Sequence, residues 1–194
     1  WRHASPHAFV LESGKDGRYH YLGLQPRSTI KGKGHQAEIT DAIHQKRSLR
    51  TGSPLKLVKE WADTYRSPRR AGWPKFIGGI TGYWAYDIVR HFEPLPTLAS
   101  EDEAWPDYYF MMVDELWIVD ALTDDLYCCL HVPVDELPDL SSDADRQKWK
   151  LAYQRAAEKA QDMKARWDTW MKDAEAAKQA QNRKQKYEAD YRHS

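Results

Sequence analysis

Apolar positions along this chain follow one rhythm up to about residue 142 and another beyond it. The second rhythm is the sharper. Trp149, Tyr153, Ala156, Ala160, Met163, Trp167, Trp170, Ala174 and Ala177 recur at alternating steps of four and three, the spacing that sets side chains on one face of a long helix. From Asp143 onward there is neither Pro nor Gly, and Ala, Lys, Gln, Arg and Glu dominate, all good helix formers. The stripe fades after Ala177, where Gln181, Lys184 and Glu188 follow. Two arrangements satisfy it: docking on the preceding domain, or pairing with a second copy. Tryptophan at these positions suits a flat sheet surface better than a two-stranded seam.

The first part reads as strands with two short helices. His7–Leu11 and Arg18–Leu24 are predicted partners across a Gly14–Gly17 turn, and Ser28–Lys31 is a further strand. Ser53-Pro54 opens a helix, with Ser as cap and Pro at the first helical position; Leu55, Val58, Trp61, Ala62 and Tyr65 form its apolar face. Gly78, Gly79 and Gly82 interrupt an apolar run. Glycine weakens a strand unless a close approach or a bend requires it, so a buried, tightly packed strand is expected, leading into a short helix over 87–92. Tyr108–Ala121 is one long apolar strand, and Thr123-Asp124-Asp125 turns it into Leu126–Val132. Five to seven strands and two helices make an α+β fold: a largely antiparallel sheet domain over residues 1–142, then a long charged helix and linker over 143–194.

Composition narrows the function classes. The 194 residues carry no formal net charge, so no global field favours nucleic acid or an anionic membrane. No apolar run reaches the ~18 residues of a membrane-spanning helix, and a cytoplasmic protein is expected. Charge is nonetheless divided. Residues 143–194 hold 13 Lys and Arg against 9 Asp and Glu, and the remainder 16 against 20. The nine tryptophans and eleven tyrosines serve first as core fillers. Cys128 and Cys129 are neighbours that point to opposite faces of a strand and do not bridge. With no companion His spacing they make no zinc site, and they read as reduced. The chain begins at Trp1, so its natural start is not in view.

A search for catalytic chemistry returns little. Gly78-Gly79-Ile80-Thr81-Gly82 lacks the spacing and the Lys of a phosphate loop, and Lys31-Gly32-Lys33-Gly34 reads as a solvated basic turn. The eight histidines are scattered. Asp124 and Asp125 belong to a turn, and Asp114 and Glu115 alternate on a strand, so no acid–base pair stands out and no catalytic or metal-ligating residue is assigned. One constellation differs. The predicted hairpin brings Glu12, Ser13 and Arg18 near one another. A carboxylate, a hydroxyl and a guanidinium can hold a zwitterion, Glu taking the ammonium, Arg and Ser the carboxylate. An ordinary surface salt bridge accounts for the same residues.

Three segments add a resemblance. Val10-Leu11-Glu12-Ser13 with Gly17-Arg18-Tyr19 and the run to Pro26, Phe76–Arg90 with Phe92-Glu93-Pro94-Leu95-Pro96, and Pro106–Asp114 occur in the order found in component I of anthranilate synthase and aminodeoxychorismate synthase. The chain resembles the N-terminal domain of that family from about Phe9 to Val132, with spacing nearer the aminodeoxychorismate branch. The resemblance implies a regulatory or structural domain of an enzyme that aminates chorismate, in 4-aminobenzoate and folate synthesis or in tryptophan synthesis. It implies a tryptophan pocket whose N-terminal half is Leu11, Glu12, Ser13 and Arg18. It also implies a glutamine amidotransferase partner that supplies ammonia, and magnesium held by glutamates of a separate catalytic domain. On that reading these residues are themselves non-catalytic and hold no cofactor. The alternative is a freestanding ligand-binding or protein-interaction module that uses the C-terminal helix.

Overall fold

The computed structural model describes residues 5–12, 14, 17–96 and 105–192, with side chains up to residue 181 other than that of residue 136. The chain divides into two compact units, one over Arg2–Leu137 and the other from Pro138 onward.

The first unit contains nine described strands, two more than the upper expectation. They are β1 (Phe9–Glu12), β2 (Tyr19–Gly23), β3 (Ser28–Lys33), β4 (Gln36–Asp41), β5 (Lys46–Thr51), β6 (Gly79–Trp84), β7 (Tyr108–Val113), β8 (Glu115–Asp120) and β9 (Asp125–Leu130). They form two antiparallel sheets, ordered β1-β2-β8-β9 and β5-β4-β3-β7-β6. The single long strand expected over Tyr108–Ala121 is in fact two, broken at Asp114. The break has a physical cause. In β7, Met111 and Val113 turn toward the core between the sheets; in β8, Leu116 and Ile118 do so. Inward positions thus change from odd to even where the chain leaves one sheet and joins the facing one. Asp114 marks the crossing, and Arg27 Nη1 lies 3.7 Å from its carboxylate.

The inter-sheet core comprises Met111, Val113, Leu116 and Ile118, flanked by Phe9, Tyr19, Tyr21, Phe76 and Tyr127. On the outer face of the five-stranded sheet lies the helix α1 (Pro54–Ala62). Leu57, Val58 and Trp61 of α1 pack on Ile30, Ala37, Tyr108, Phe110 and Met112. The apolar face is therefore shifted from the expected one: Leu57 is in it, while Leu55 is 40% exposed. Ser53 occupies the cap position without a capping side-chain bond, and Pro54 starts the helix as read from the sequence. Trp61 Nε1–H donates to Ser28 Oγ at 3.0 Å, giving the buried indole its polar partner.

The glycine-bearing strand is corrected in position. β6 is the outer strand of its sheet and half-exposed, where a buried strand was expected. Its glycines still answer to sterics. A Cβ on Gly82 would strike the Tyr109 carbonyl and Phe110 Cα of β7. Gly79 meets nothing closer than Phe76 Cε2 at 3.7 Å, but has φ of +125°, where side chains are strained. Gly32, read as part of a solvated turn, lies within β3, with Tyr108 filling the place of its missing side chain. The turn itself falls at Gly34, whose φ is +54°. The helix expected over 87–92 is a 3-10 helix, Tyr86–His91, and a second 3-10 turn spans Val134–Glu136.

The second unit is carried by α2 (Asp143–Arg192). Ser142 caps it. Its Oγ accepts from Asp145 N at 3.1 Å and donates to Asp145 Oδ2 at 2.6 Å, while the acidic first turn suits the positive helix end. Trp149 Nε1–H donates to Pro138 O at 2.8 Å, fixing the entry to the helix. Tyr153, placed in the apolar stripe by its spacing, is 76% exposed.

Candidate functional site

The β1–β2 hairpin carries three of the four residues singled out by sequence; the fourth, Ser13, lies outside the described residues. Gly17 N donates to Gly14 O at 2.7 Å, which closes the turn where the two glycines predict it. The register pairs Leu11 with Tyr21 and Glu12 with His20. Directly opposed residues of an antiparallel pair share a face. Leu11 therefore lies on the face of Tyr19 and Tyr21, and Glu12 on the opposite one with His20.

Arg18, immediately before β2, is committed elsewhere than to Glu12. Its Nε donates to both carboxylate oxygens of Asp120 at 2.9 Å, and its Nη2 donates to Oδ2 at 2.6 Å. Asp120 ends β8, opposite Tyr19, and is fully buried. Leu122 N also donates to Asp120 Oδ1, at 3.1 Å. The Arg18 hydrogen bonds, helped by that amide, hold the Asp120 carboxyl at about 2, well below the usual carboxylate range. The same bonds raise the Arg18 pKa. The guanidinium also lies 4.9 Å from the centroid of the Tyr19 ring. Main-chain bonding reinforces the corner, since Ala121 N donates to Arg18 O at 2.7 Å.

An aromatic wall flanks this corner. Tyr19 and Tyr21 are 6.2 Å apart between centroids, and Tyr21 meets the edge of Phe76 at 5.6 Å. Burial raises the pKa of the Tyr21 and Tyr127 phenols. Leu11 is 41% exposed and the Arg18 side chain 48%. The structure thus joins Leu11 and Arg18 on one surface with an aromatic border and sets the Glu12 carboxylate on the reverse face. Asp120, the residue that fixes Arg18, was not among those read from the sequence. The one available signal was an acid ending the apolar run Leu116–Val119 at a turn.

No three His, Cys, Asp or Glu side chains converge as a metal site among the described residues. No described helix is long and apolar enough to cross a membrane.

A family model described as "chorismate binding enzyme" matches residues 7–192. The chain belongs to the chorismate binding enzyme family. Among the relatives of this family member is the aminodeoxychorismate synthase component 1 of Bacillus subtilis, 34% identical over 127 residues, or 65% of this chain and 26% of that protein. The anthranilate synthase component 1 of Acetivibrio thermocellus is 28% identical over 131 residues, covering 66% of the chain and 26% of the relative. A solved structure, anthranilate synthase component I of Streptococcus pneumoniae, aligns over 79% of this chain and 32% of its own, with 19% identity and a TM-score of 0.49. This chorismate-family chain spans about a quarter of the length of the curated relatives it matches.

Proposed function

We propose that this chain is the N-terminal, non-catalytic part of a component I enzyme that aminates chorismate, with aminodeoxychorismate as its product in preference to anthranilate. Membership in the chorismate binding enzyme family supports the substrate class. The order of the two products rests on the spacing of Glu12-Ser13 and Gly17-Arg18-Tyr19, because identity is nearly equal, 34% to the aminodeoxychorismate synthase of Bacillus subtilis and 33% to the anthranilate synthase of Pseudomonas aeruginosa. In this reading the protein works in the cytoplasm with a glutamine amidotransferase that supplies ammonia, and magnesium belongs to the catalytic part.

The role of the chain's own residues is to hold one side of an amino-acid pocket for tryptophan. The observation that carries this is the Arg18–Asp120 corner. Asp120 fixes the guanidinium of a half-exposed Arg18 side chain against Tyr19, on the strand face that also carries Leu11 and Tyr21. A fixed, partly exposed guanidinium suits a carboxylate, and the neighbouring apolar surface suits an indole. Glu12 and Ser13 enter the proposal through the resemblance. Half of such a pocket binds poorly, because an indole needs a second wall to leave water.

Two measurements test the reading. Incubation of the 194-residue chain with chorismate, magnesium and ammonia is expected to give no aminated product above background; turnover would place the chemistry in this chain. Calorimetry with L-tryptophan, on a component I enzyme that includes this chain, is expected to lose affinity on Arg18→Lys. That change keeps a charge facing Asp120 and removes the fork. Unchanged affinity would make Arg18 a structural ion pair alone.

A further inference from the structure

A cavity of about 600 Å³ lies in the first unit, away from the hairpin, beneath the loop that joins α1 to β6. Its floor is apolar, formed by Ile80 with Met112 near the end of β7. Arg27 lines it and is buried, held by Asp114 at 3.7 Å and by the face of Tyr65 at 5.1 Å.

The loop over this floor has no regular structure, and it is tied at both ends by one imidazole. His131 Nε2 bonds to Ile77 O at 2.7 Å, and its Nδ1 to Ser67 Oγ at 2.8 Å. A carbonyl only accepts, so Nε2 carries a proton, and in the neutral ring Nδ1 accepts from the Ser67 hydroxyl. Gly78 serves the same tether: with φ of +148°, it leaves room for the His131 ring, which a Cβ would strike. A loop pinned at residues 67 and 77 spans the floor as a strap and does not collapse onto it.

Charge on the strap is one-sided. Arg66, Arg69, Arg70 and Lys75 border the opening, while the carboxylates of the lining are Asp114, engaged by Arg27, and Asp135. Arg70 lies against the exposed Trp73 ring at 5.9 Å. No carboxylate pairs with Arg69 or Lys75 among the described residues. A volume in the range of small-molecule sites, an apolar base and a cationic rim together specify the occupant.

We propose that this cavity is a binding site for a small organic anion, a carboxylate carried on a compact apolar or aromatic body. The body rests on Ile80 and Met112, and the carboxylate meets the arginines and lysine of the strap. A cation is repelled by the rim, and a neutral analogue forgoes the charge-assisted bonds. The proposal does not rest on the tryptophan half-site, whose four residues lie on the β1–β2 hairpin and meet the strap where Tyr21 packs on Phe76.

The test is a titration of the whole 15N-labelled chain, followed by amide chemical shifts, with benzoate, cyclohexanecarboxylate and 2-naphthoate. At least one should shift residues 65–80 and 131–135 saturably, and the corresponding neutral amide should bind at least tenfold more weakly. The exposed double change Arg69→Glu/Lys75→Glu should weaken binding at least tenfold, with an unaltered circular dichroism spectrum and melting temperature. Ser67→Ala, which removes one tether and no charge, should weaken binding less than that charge reversal. The proposal is overturned by any of three results: none of the three acids shifts these residues, the amide binds as well as its acid, or the charge reversal has no effect. Tighter binding of an Asp- and Glu-rich peptide over the same residues would also overturn it, in favour of a protein partner.

Discussion

Arg18 and Asp120 stand 102 positions apart in sequence and meet through three hydrogen bonds of 2.6–2.9 Å, joining the first hairpin to the end of β8. Asp120 has no solvent exposure, so its charge depends on this partner and on the Leu122 amide. Removing the guanidinium leaves a buried carboxylate unpaired, the costly direction of change for such a pair.

The pair makes stability depend on acid. The folded Asp120 carboxyl sits at about 2, below the value of about 3.9 typical of an unfolded chain. Its contribution is therefore fully present above pH 4 and is lost as pH falls from about 4 toward 2. Urea midpoints measured across that window should fall steeply for the parent and more gently for Asp120→Asn, which has no proton to take up. Parallel curves would show that other carboxylates govern acid unfolding.

The glycines of β6 should separate two kinds of cost. Gly79→Ala and Gly79→Val should each destabilise by about 1–3 kcal/mol, because both force a side chain into a strained backbone region while meeting little steric resistance. Gly82→Ala should cost at least as much by another route, collision with the β7 main chain, which cannot rotate away. Gly14→Ala, with nothing within 4 Å of the added carbon, is the control. Denaturant midpoints decide; a neutral Gly82→Ala would mean that β6 moves freely from β7.

Ser28→Ala should destabilise by about 1–3 kcal/mol, since it strands the buried indole N–H of Trp61. Adding Ser28→Ala to Trp61→Phe should cost much less than Ser28→Ala does alone, because the donor is already gone. A double-mutant cycle checks this; strict additivity would show the bond to be unimportant.

Cys129 should be a poor nucleophile in the native state. Burial first, and then the neighbouring Cys128, push its thiol up to about 11. At pH 8 it should resist iodoacetamide and react after denaturation, as peptide mass spectrometry would show. Because the folded value is raised, its stabilising contribution is complete below pH 9 and is lost as pH rises toward 11. Rapid native alkylation at pH 8 would mean that β9 opens locally.

What could be read from sequence was what neighbouring residues determine. The Gly14–Gly17 turn, the Ser53-Pro54 helix start and the α+β class all depend on local chemistry. β4 and β5 were not recognised because β4 shows only Ala37 and Ile39 as apolar alternation, and β5 is polar except for Leu49, which is 78% exposed. The break at Asp114 was hidden because the residues on both sides of it are apolar, and only the facing sheet makes their phase change visible. At the candidate site the hairpin was legible, but the partner of Arg18 was not. Proximity in a hairpin points to Glu12; the pleat sends Glu12 to one face, and Arg18 bends to the other, where a residue from β8 waits.

The passage of the chain from β7 into β8 also dictates an order of assembly during synthesis. Both strands are interior to their sheets. Until residues 108–120 leave the ribosome, one sheet is only the β1–β2 hairpin and the other only the β3–β4–β5 meander with its inner edge bare. A single stretch of thirteen residues then extends both sheets at once, and β9 completes the first. The nascent chain must therefore keep two unfinished edges from pairing with other chains until that stretch emerges, which makes this stage its window of exposure to chaperones and to aggregation.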